Sequence, residues 1–271
     1  MRPAALAFDA AASTFDARFG EWRSVAVQRA AVRDSLVAVF PRGGTILEIG
    51  GGTGEDAVWL AQRGFKVFST DAAPMMVEAA RPKLAAFGLN AETVAAEDLE
   101  HFAEQYLDGT GSRSRFDGAF SNFAGLNCVD ELDSFARGLA RLLRPGSAAV
   151  LVLFGKCAPG EVVVECLRGR PRQALRRFRR DAVPARLGGH DFTVRYHTAR
   201  AIGLAMSPWF RLVRRMGIGI FVPPSGAEPW ISRHPRLLDL LCRLDGMAKR
   251  PLAGLGDHVL YHFERTELAP P

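Results

Sequence analysis

Cysteines are few in this chain of 271 residues, and none of them stands in a CxxC pair or at a metal-ligand spacing. The four are Cys128, Cys157, Cys166 and Cys242. We interpret them as reduced thiols, because nothing in their spacing indicates pairing. Neither a disulfide scaffold nor a bound metal is therefore expected.

Long apolar runs are also missing. The most apolar stretch, Ala148 to Phe154, has the length of a buried strand and falls well short of the roughly 18 residues that a membrane span needs. The alanine-rich start of the chain is interrupted by Asp9 and preceded by a single arginine, which is not typical of a secretion signal. We therefore expect a cytoplasmic protein.

Acidic residues are absent from one segment of the chain. Arg168–Arg180 contains seven arginines and no acid, which more than accounts for the net charge of +6. Because the basicity is local, it favours contact with a membrane surface, a carrier or an anionic ligand over a nucleic-acid grip by the whole protein. A solvated helix face is the first interpretation of this segment, and peripheral membrane contact is the further expectation.

Short apolar strands alternate with helices from Thr45 onward. The predicted strands are 45–49, 66–70, 91–95, 116–121 and 148–154, and the helices between them are 55–63, 74–87, 98–106 and 130–143. Five strands in this rhythm predict a parallel, doubly wound sheet of Rossmann-like α/β type.

The flanking segments complete the predicted architecture. A helical pattern covers 8–40, and after strand five the sequence predicts a helix over 161–180, a turn at Gly188 and Gly189, a strand over 192–197 and a helix over 198–206. Strands over 210–222 and 258–264, separated by a helix over 235–249, bring the sheet to seven mostly parallel strands, ending in an antiparallel one. We expect one domain with these parts: an N-terminal helical lid (1–44), a cofactor-binding core (45–155), a helical cap (156–208) and C-terminal strands with a helix (209–271).

The most informative segment is TILEIGGGTG, Thr45–Gly54, where a strand runs into a glycine-rich turn and then a helix. Glycines permit positive φ and let a ligand approach the backbone closely. The spacing of Gly50, Gly52 and Gly54 differs from the Gly-x-Gly-x-x-Gly of a dinucleotide dehydrogenase. A pyrophosphate binder is therefore disfavoured.

Two acidic positions follow the next strands. Asp71 ends the second strand, where a carboxylate can accept both hydroxyls of an adenosine ribose or cap the helix that follows. Ala96-Glu97-Asp98-Leu99 follows the third strand, where an acid can accept the adenine amino group or stabilise a helix N-terminus.

Together these elements resemble the class I S-adenosylmethionine-dependent methyltransferase superfamily, from about Thr45 to Phe154. The resemblance implies S-adenosylmethionine as cofactor, with Asp71 at its ribose, Asp98 at the adenine amino group and the Leu99 amide at the ring. The methionine part would lie against Glu48, Gly50, Gly52 and Gly54. Ala72, Glu97 and Asn122 complete the expected cofactor-binding set.

The acceptor is indicated mainly by exclusion. Ser121-Asn122-Phe123-Ala124, at the end of the fourth strand, does not resemble the Asn/Asp-Pro-Pro-aromatic motif of enzymes that methylate nucleobase amines. Apolar residues after the cap favour a small, apolar acceptor of lipid, isoprenoid, quinone or polyketide type. These residues are Trp209, Phe210, Phe221, Val222, Pro223, Pro224 and Trp230.

A catalytic base is optional for methyl transfer, which is an in-line displacement that mainly requires alignment and exclusion of water. The candidate bases are His190, His197, His234 and His258. His197 is preferred, because it precedes a helix in an Arg-Tyr-His-Thr segment. Phe15, Phe19 and Trp22 either line the cofactor pocket as a lid or pack in the core.

Two alternatives remain open at this point. Arg168–Arg180 could follow the phosphate backbone of an RNA substrate, although nucleic acid is not the favoured partner. The chain could also bind the cofactor without catalysing transfer, because a fold does not establish a function.

Overall fold

The computed structural model describes residues 1–108, 114–268 and 270; the polar loop expected around Gly109–Ser112 lies outside them. The helices are α1 (Pro3–Gly20), α2 (Arg23–Val39), α3 (Glu55–Ala61), α4 (Pro74–Ala85), α5 (Leu99–Asp108), α6 (Leu132–Leu142), α7 (Pro159–Leu167), α8 (Pro171–Ala174), α9 (Ala199–Met206) and α10 (Pro235–Ala248). The strands are β1 (Thr45–Ile49), β2 (Lys66–Asp71), β3 (Asn90–Thr93), β4 (Phe116–Ser121), β5 (Leu143–Phe154), β6 (Val183–Leu187), β7 (His190–Val194), β8 (Phe210–Ile218) and β9 (His258–Arg265).

Seven strands form one sheet in the order β3-β2-β1-β4-β5-β9-β8. Strands β1 to β5 pair in parallel, whereas β9 runs antiparallel to both β5 and β8. The predicted Rossmann-like, mostly parallel sheet is confirmed, but its antiparallel strand lies second from the edge and not at the end. The order reverses between β1 and β4, which opens a crevice at the carboxyl ends of these strands, the place where such sheets bind ligands.

Side chains alternate across the sheet and divide the core into two layers. On one face Leu47 and Leu151 pack with residues of α5, α6 and α9. On the other face Ile46, Val150 and Leu260 pack with residues of α2, α3 and α4. Helices therefore cover both faces, as the alternation of strands and helices predicted.

The N-terminal segment is two helices, where the sequence pattern predicted one run over 8–40. The chain turns at Glu21 and Trp22 between α1 and α2. Helix α2 packs on the sheet, whereas α1 lies against α4 and the β6–β7 hairpin. The Phe8 ring is 5.9 Å from that of Phe192 in this hairpin. Only α1 therefore has the position of a lid.

The cap is less helical than predicted, and the expected helix over 161–180 is wrong. Gly169 takes φ +71° and Pro171 opens the next helix, so the chain breaks into α7, α8 and a 3₁₀ turn at Arg176–Phe178. The predicted turn at Gly188 and Gly189 is confirmed, and it closes the hairpin of β6 and β7. The cap therefore combines short helices with a two-stranded sheet.

Strand β8 stops at Ile218, four residues before its predicted end, because Gly219 takes φ +67° and turns the chain. Among the described residues, no helix combines the length and the apolar character needed to cross a membrane.

Candidate functional site at the carboxyl edge of the sheet

The glycine-rich turn follows β1 at the reversal point of the sheet. Gly50, Gly52 and Gly54 have φ values of 70°, 56° and 81°, a region that L side chains rarely adopt. A Cβ atom at Gly52 would meet nothing within 4 Å, whereas one at Gly54 would lie 3.1 Å from the Cβ of Ala80. Gly54 thus serves the packing of α3 on α4, and Gly52 borders open space where a ligand can approach.

Asp71 closes this turn from the end of β2. Its carboxylate accepts hydrogen bonds from the backbone amides of Gly52 and Ala73, both at 2.8 Å. Burial raises the pKa of Asp71. Ala72 lies at the same half-buried corner. The N-cap of α4 is Ala73, without a side-chain cap, so the capping role considered for Asp71 is wrong. The ribose-binding role stays a prediction, because a carboxylate has about four lone-pair sites and two are used here.

Glu48 is buried beneath the turn, with 2% of its surface exposed. It accepts a hydrogen bond from the Ser69 hydroxyl at 2.6 Å. Burial, reinforced by the nearby Asp56 carboxylate, raises the pKa of Glu48 to about 8. A cation arriving at this carboxylate would favour its ionised form.

The acidic pair after β3 is engaged by the lid. Arg2 donates two hydrogen bonds to Asp98, at 2.8 and 2.7 Å, and its Nε lies 3.3 Å from Glu97. These hydrogen bonds hold the pKa of Asp98 below its ordinary value. Leu99 is fully buried where α5 begins. The structure therefore places an arginine on the carboxylate for which the resemblance implied adenine.

The end of β4 holds an unusual turn. Asn122 donates to Asp56 at 2.7 Å and accepts from the Phe123 amide at 2.8 Å. Phe123 and Ala124 have φ values of 48° and 61°, which are rare outside glycine and are found at functional sites. Asp56 also accepts from Arg33 at 2.7 Å. Sequence reasoning missed Asp56, which fixes the Asn122 amide and hence this turn.

Ser121 is a second residue that sequence reasoning missed. Its hydroxyl is buried and has no hydrogen-bond partner among the described residues. A Cβ atom built on Gly50 would lie 3.9 Å from this oxygen. A buried polar atom beside the open turn fits a polar ligand seated there, because proteins rarely leave such atoms unsatisfied. The only signal in the sequence was its place at the end of a predicted strand.

Helix α1 lies across this edge and is attached at three points. Beside the Arg2–Asp98 contact, Asp9 accepts from the Met75 amide at 2.6 Å, and Asp16 accepts from the Thr53 hydroxyl at 2.5 Å. Asp16 also accepts from Lys83 at 2.7 Å. The partners Thr53, Met75 and Asp98 follow β1, β2 and β3, respectively. Helix α1 therefore spans the carboxyl ends of all three strands.

Aromatic rings form a row along α1. The ring centroids of Phe8 and Phe15 are 6.2 Å apart, those of Phe15 and Phe19 4.7 Å, and those of Phe19 and Trp22 5.0 Å. All four side chains are partly buried. The row therefore gives the lid a continuous apolar surface. This surface is compatible with both predictions for these rings, namely lining of the cofactor pocket and packing in the core.

The four candidate histidines differ in their surroundings. His190 and His234 are exposed. His197 is half-buried, with its Nε2 buried and without a hydrogen-bond partner among the described residues, and burial lowers its pKa. His258 is 7% exposed at the start of β9.

Two open depressions of about 640 and 620 Å³ lie elsewhere, and they flank the opposite edge of the sheet. They are lined by residues such as Pro41, Arg144, Arg115 and Pro145, at the amino ends of β4 and β5. Ligands of such sheets bind at the carboxyl edge, so we assign neither depression to the site. The described residues contain no cluster of side chains suited to holding a metal ion.

The fold and this edge together resemble one class of protein. The sheet order with one antiparallel strand beside β5, the glycine turn after β1 and the acid ending β2 are similar to those of class I S-adenosylmethionine-dependent methyltransferases.

Comparison with known proteins agrees with this class. Residues 46–146 match the family model of a methyltransferase domain. Solved structures with a similar fold include the CcbJ methyltransferase from Streptomyces caelestis, at 15% identity over 96% of this chain and 98% of that chain, with a TM-score of 0.59. An S-adenosylmethionine-dependent methyltransferase from Mesorhizobium loti is 17% identical over 86% of this chain and 96% of that chain, with a TM-score of 0.52.

The [4+2]-cyclase SpnF has a similar fold too, at 14% identity over 87% of this chain and 81% of that chain, with a TM-score of 0.51. Identities this low show a shared fold alone. No curated protein matches the chain. Residues 46–146 therefore correspond to a methyltransferase domain, which implies S-adenosylmethionine as the cofactor.

Proposed function

We propose that the protein transfers a methyl group from S-adenosylmethionine to a small, apolar acceptor of lipid, isoprenoid, quinone or polyketide type. The observation that carries this proposal is the lid. Helix α1 is attached across the carboxyl ends of β1, β2 and β3 and carries a row of aromatic rings. A covered, apolar site suits a small acceptor that can be enclosed and desolvated, and it opposes a long polymer.

The turn and its neighbours support the proposed place of the cofactor. Glu48, Gly50 and Gly52 would hold the methionine part, with Gly54 shaping the turn. Asp71 and Ala72 would hold the ribose. Glu97, Asp98 and Leu99 would hold the adenine while Arg2 shares the Asp98 carboxylate and keeps α1 in place.

When bound, the cofactor supplies an electrophilic methyl group on a positively charged sulfur. The residues of this chain then have to align the acceptor and exclude water. Asn122 supports this alignment through the turn that it forms with Asp56, since the turn places Phe123 at the end of β4. His197, the base preferred from the sequence, is one of two largely buried candidates, and His258 is the other.

Membrane or carrier contact is proposed for the surface formed by α7, α8 and the 3₁₀ turn. Leu167, Leu175 and Phe178 are 84%, 58% and 49% exposed there. Exposed arginines surround them: Arg170, Arg172, Arg179 and Arg180. Apolar side chains among cations suit an anionic lipid surface.

Vesicle flotation tests this contact. We expect binding to vesicles that contain anionic lipid, weakened by salt and by Phe178→Ser, and unaffected by Met247→Ser on the exposed face of α10. No binding to anionic vesicles at low salt would remove the membrane proposal.

The RNA alternative is weakened by the same segment. Arg177 is buried and bound to Glu161 and Asp257, and Arg176 also pairs with Glu161. The segment therefore does not present one continuous basic helix to a phosphate backbone.

Turnover tests the proposal as a whole. Formation of S-adenosylhomocysteine is followed while phenols, quinols, prenyl alcohols and a short RNA are offered with S-adenosylmethionine. We expect product with a small apolar acceptor and none with RNA. Cofactor binding without any turnover would support the non-catalytic alternative.

A further inference from the structure

His258 lies at the carboxyl edge of the sheet, next to the end of β4. The register of β9 sets it opposite Phe154 of β5 and Ile218 of β8. Its ring stacks on Phe154 with centroids 4.8 Å apart and meets Phe123 edge-on at 5.8 Å. Phe123 directly follows Asn122, where the acceptor is expected. The imidazole therefore borders the acceptor side of the site.

Asp257 faces one nitrogen of this ring. Its Oδ2 lies 3.4 Å from Nδ1 of His258, close enough for electrostatic attraction, although Nδ1 has no hydrogen-bond partner among the described residues. Its Oδ1 accepts from Nη2 of Arg177 at 2.5 Å. One carboxylate oxygen is thus held by a cation while the other is directed at the imidazole.

Arg177 is itself immobilised. It pairs with Glu161 of α7 and donates to the backbone oxygens of Gly155 and Asp257 at 3.0 and 2.7 Å. The side chains of Glu161, Arg177, Asp257 and His258 are only 4 to 8% exposed. Such a network fixes the Asp257 carboxylate more firmly than a surface ion pair would.

This arrangement selects one tautomer of His258. A carboxylate beside Nδ1 favours the form with its proton on that nitrogen, which leaves the lone pair on Nε2. The charged groups nearby are Asp257 and Glu161, which favour a protonated ring, and Arg177, which opposes it. Burial outweighs them and lowers the pKa of His258, so the ring is neutral and able to accept a proton at neutral pH.

We propose that the acceptor carries a phenolic or enolic hydroxyl and that His258, positioned by Asp257, takes its proton. The inference rests on the proposed function and names the substrate class of the same site. The acceptor oxygen forms a bond to the methyl carbon. The bond between that carbon and sulfur breaks, with its electron pair kept by sulfur, and the hydroxyl proton goes to Nε2 of His258.

The low basicity of His258 and the flat surfaces beside it both indicate an acceptor with a phenolic or enolic hydroxyl. A buried imidazole of low basicity can assist an acidic hydroxyl but is a poor base for an alkyl alcohol. The partly exposed Phe123 ring, with the Arg29 guanidinium 4.7 Å from its centroid, offers flat surfaces that suit an aromatic or conjugated acceptor. Carbon acceptors without an acidic proton would make the His258–Asp257 pair unnecessary.

Nuclear magnetic resonance of the histidine rings tests whether His258 lies near the reacting methyl group, and it requires no acceptor. S-Adenosylmethionine and S-adenosylhomocysteine differ by one methyl group and one positive charge, so exchanging them perturbs only groups near the sulfur. We expect the His258 ring resonance to differ between the two complexes several-fold more than that of His262. His262 lies on the same face of β9 toward its other end, and His258→Gln and His262→Gln assign the two signals.

Turnover then tests the chemistry. Catechol, 1-naphthol and para-hydroxybenzoate are the probes. We expect His258→Gln to lower kcat by about 100-fold or more while binding S-adenosylmethionine as tightly as the wild type, with His262→Gln unaffected. Imidazole in the buffer should restore part of the activity of His258→Ala, which a merely structural role would not allow.

Failure of this inference is distinguishable from failure of the proposed function. Loss of S-adenosylmethionine binding by the wild type would contradict the function itself. A wild type that binds the cofactor yet methylates none of the three phenols would overturn the acceptor class. Equal His258 signals in the two complexes, or loss of activity in His197→Gln and not in His258→Gln, would overturn the assignment to His258.

Discussion

Gly51 occupies the x position between Gly50 and Gly52, where the motif places no demand on the residue. The structure nevertheless requires glycine at this position, because a Cβ atom there would lie 2.3 Å from the Ser69 hydroxyl and 2.4 Å from Oε2 of Glu48. We expect Gly51→Ala to destabilise the protein by about 1–3 kcal/mol through this clash. Urea unfolding measures it. Gly246→Ala, in the last turn of α10 with nothing within 4 Å of the added Cβ atom, is the control and should stabilise by no more than about 0.5–1 kcal/mol.

Replacing Ser121 is expected to maintain or raise stability but to weaken cofactor binding. Its hydroxyl is buried without a partner among the described residues. Ser121→Ala should therefore leave the Tm of the ligand-free protein unchanged or higher, while weakening S-adenosylmethionine binding several-fold. Ser69→Ala, whose hydroxyl donates to Glu48, should lower the Tm instead. Unchanged cofactor affinity in Ser121→Ala, measured by calorimetry, would show that the hydroxyl faces no ligand.

Glu48 should make stability depend on pH. Its folded pKa of about 8 lies above its ordinary value of 4.5, so the folded state favours the protonated carboxyl. This contribution is present at low pH and is lost as the pH rises between these values. Glu48→Gln, which resembles the protonated form, should thus gain Tm relative to the wild type from pH 5 to pH 8 and keep a constant lead above that. Parallel melting curves across this range would refute the raised pKa.

At the scale of single elements, α1 is the part whose attachments can be varied. The Arg2–Asp98 pair is partly exposed, with side chains 43% and 53% accessible, so its contribution is modest and screened by salt. We expect Arg2→Ala to speed S-adenosylmethionine dissociation by roughly 2- to 5-fold, with salt producing a similar effect in the wild type. Stopped-flow displacement measures the rate. Arg211→Ala, which removes the exposed Arg211–Glu264 pair on β8 and β9, should leave it unchanged.

The elements of the core could be predicted because each was marked by its own local pattern. β1 begins and ends where the apolar run does, and Gly188 and Gly189 marked the hairpin turn. The prediction of a single cap helix was wrong for an equally local reason, since Gly169 and Pro171 interrupt a segment whose composition suggested one helix. Composition indicated charge there, but not which arginine would be buried.

Across the whole molecule, Arg177 joins three parts of the chain. It contacts Glu161 of the cap, Gly155 after β5 and Asp257 before β9. We expect Arg177→Ala to destabilise the protein by about 3–5 kcal/mol, because it leaves the buried Asp257 without its cation and takes one of two cations from the buried Glu161. Arg172→Ala, exposed in the same segment, should cost no more than about 0.5 kcal/mol. Equal urea midpoints for the two variants would contradict this role.

The candidate site shows where sequence reasoning stops. Gly50, Asp71 and Asp98 could be placed because strand ends of a parallel sheet meet at one edge. The roles of Ser121, Asp56 and Asp257 depend on packing between segments far apart in the chain, which no local pattern encodes. The contact between Arg2 and Asp98, which are 96 residues apart in the sequence, likewise could not be predicted from a local pattern.

The central claim is that this edge binds S-adenosylmethionine. Isothermal titration with S-adenosylmethionine, S-adenosylhomocysteine and NAD tests it most directly, with Asp71→Asn as the paired variant. We expect micromolar binding of the first two, no binding of NAD, and at least about 10-fold weaker binding in Asp71→Asn, equivalent to about 1.4 kcal/mol. Absence of S-adenosylmethionine binding, or equal affinity in Asp71→Asn, would contradict it.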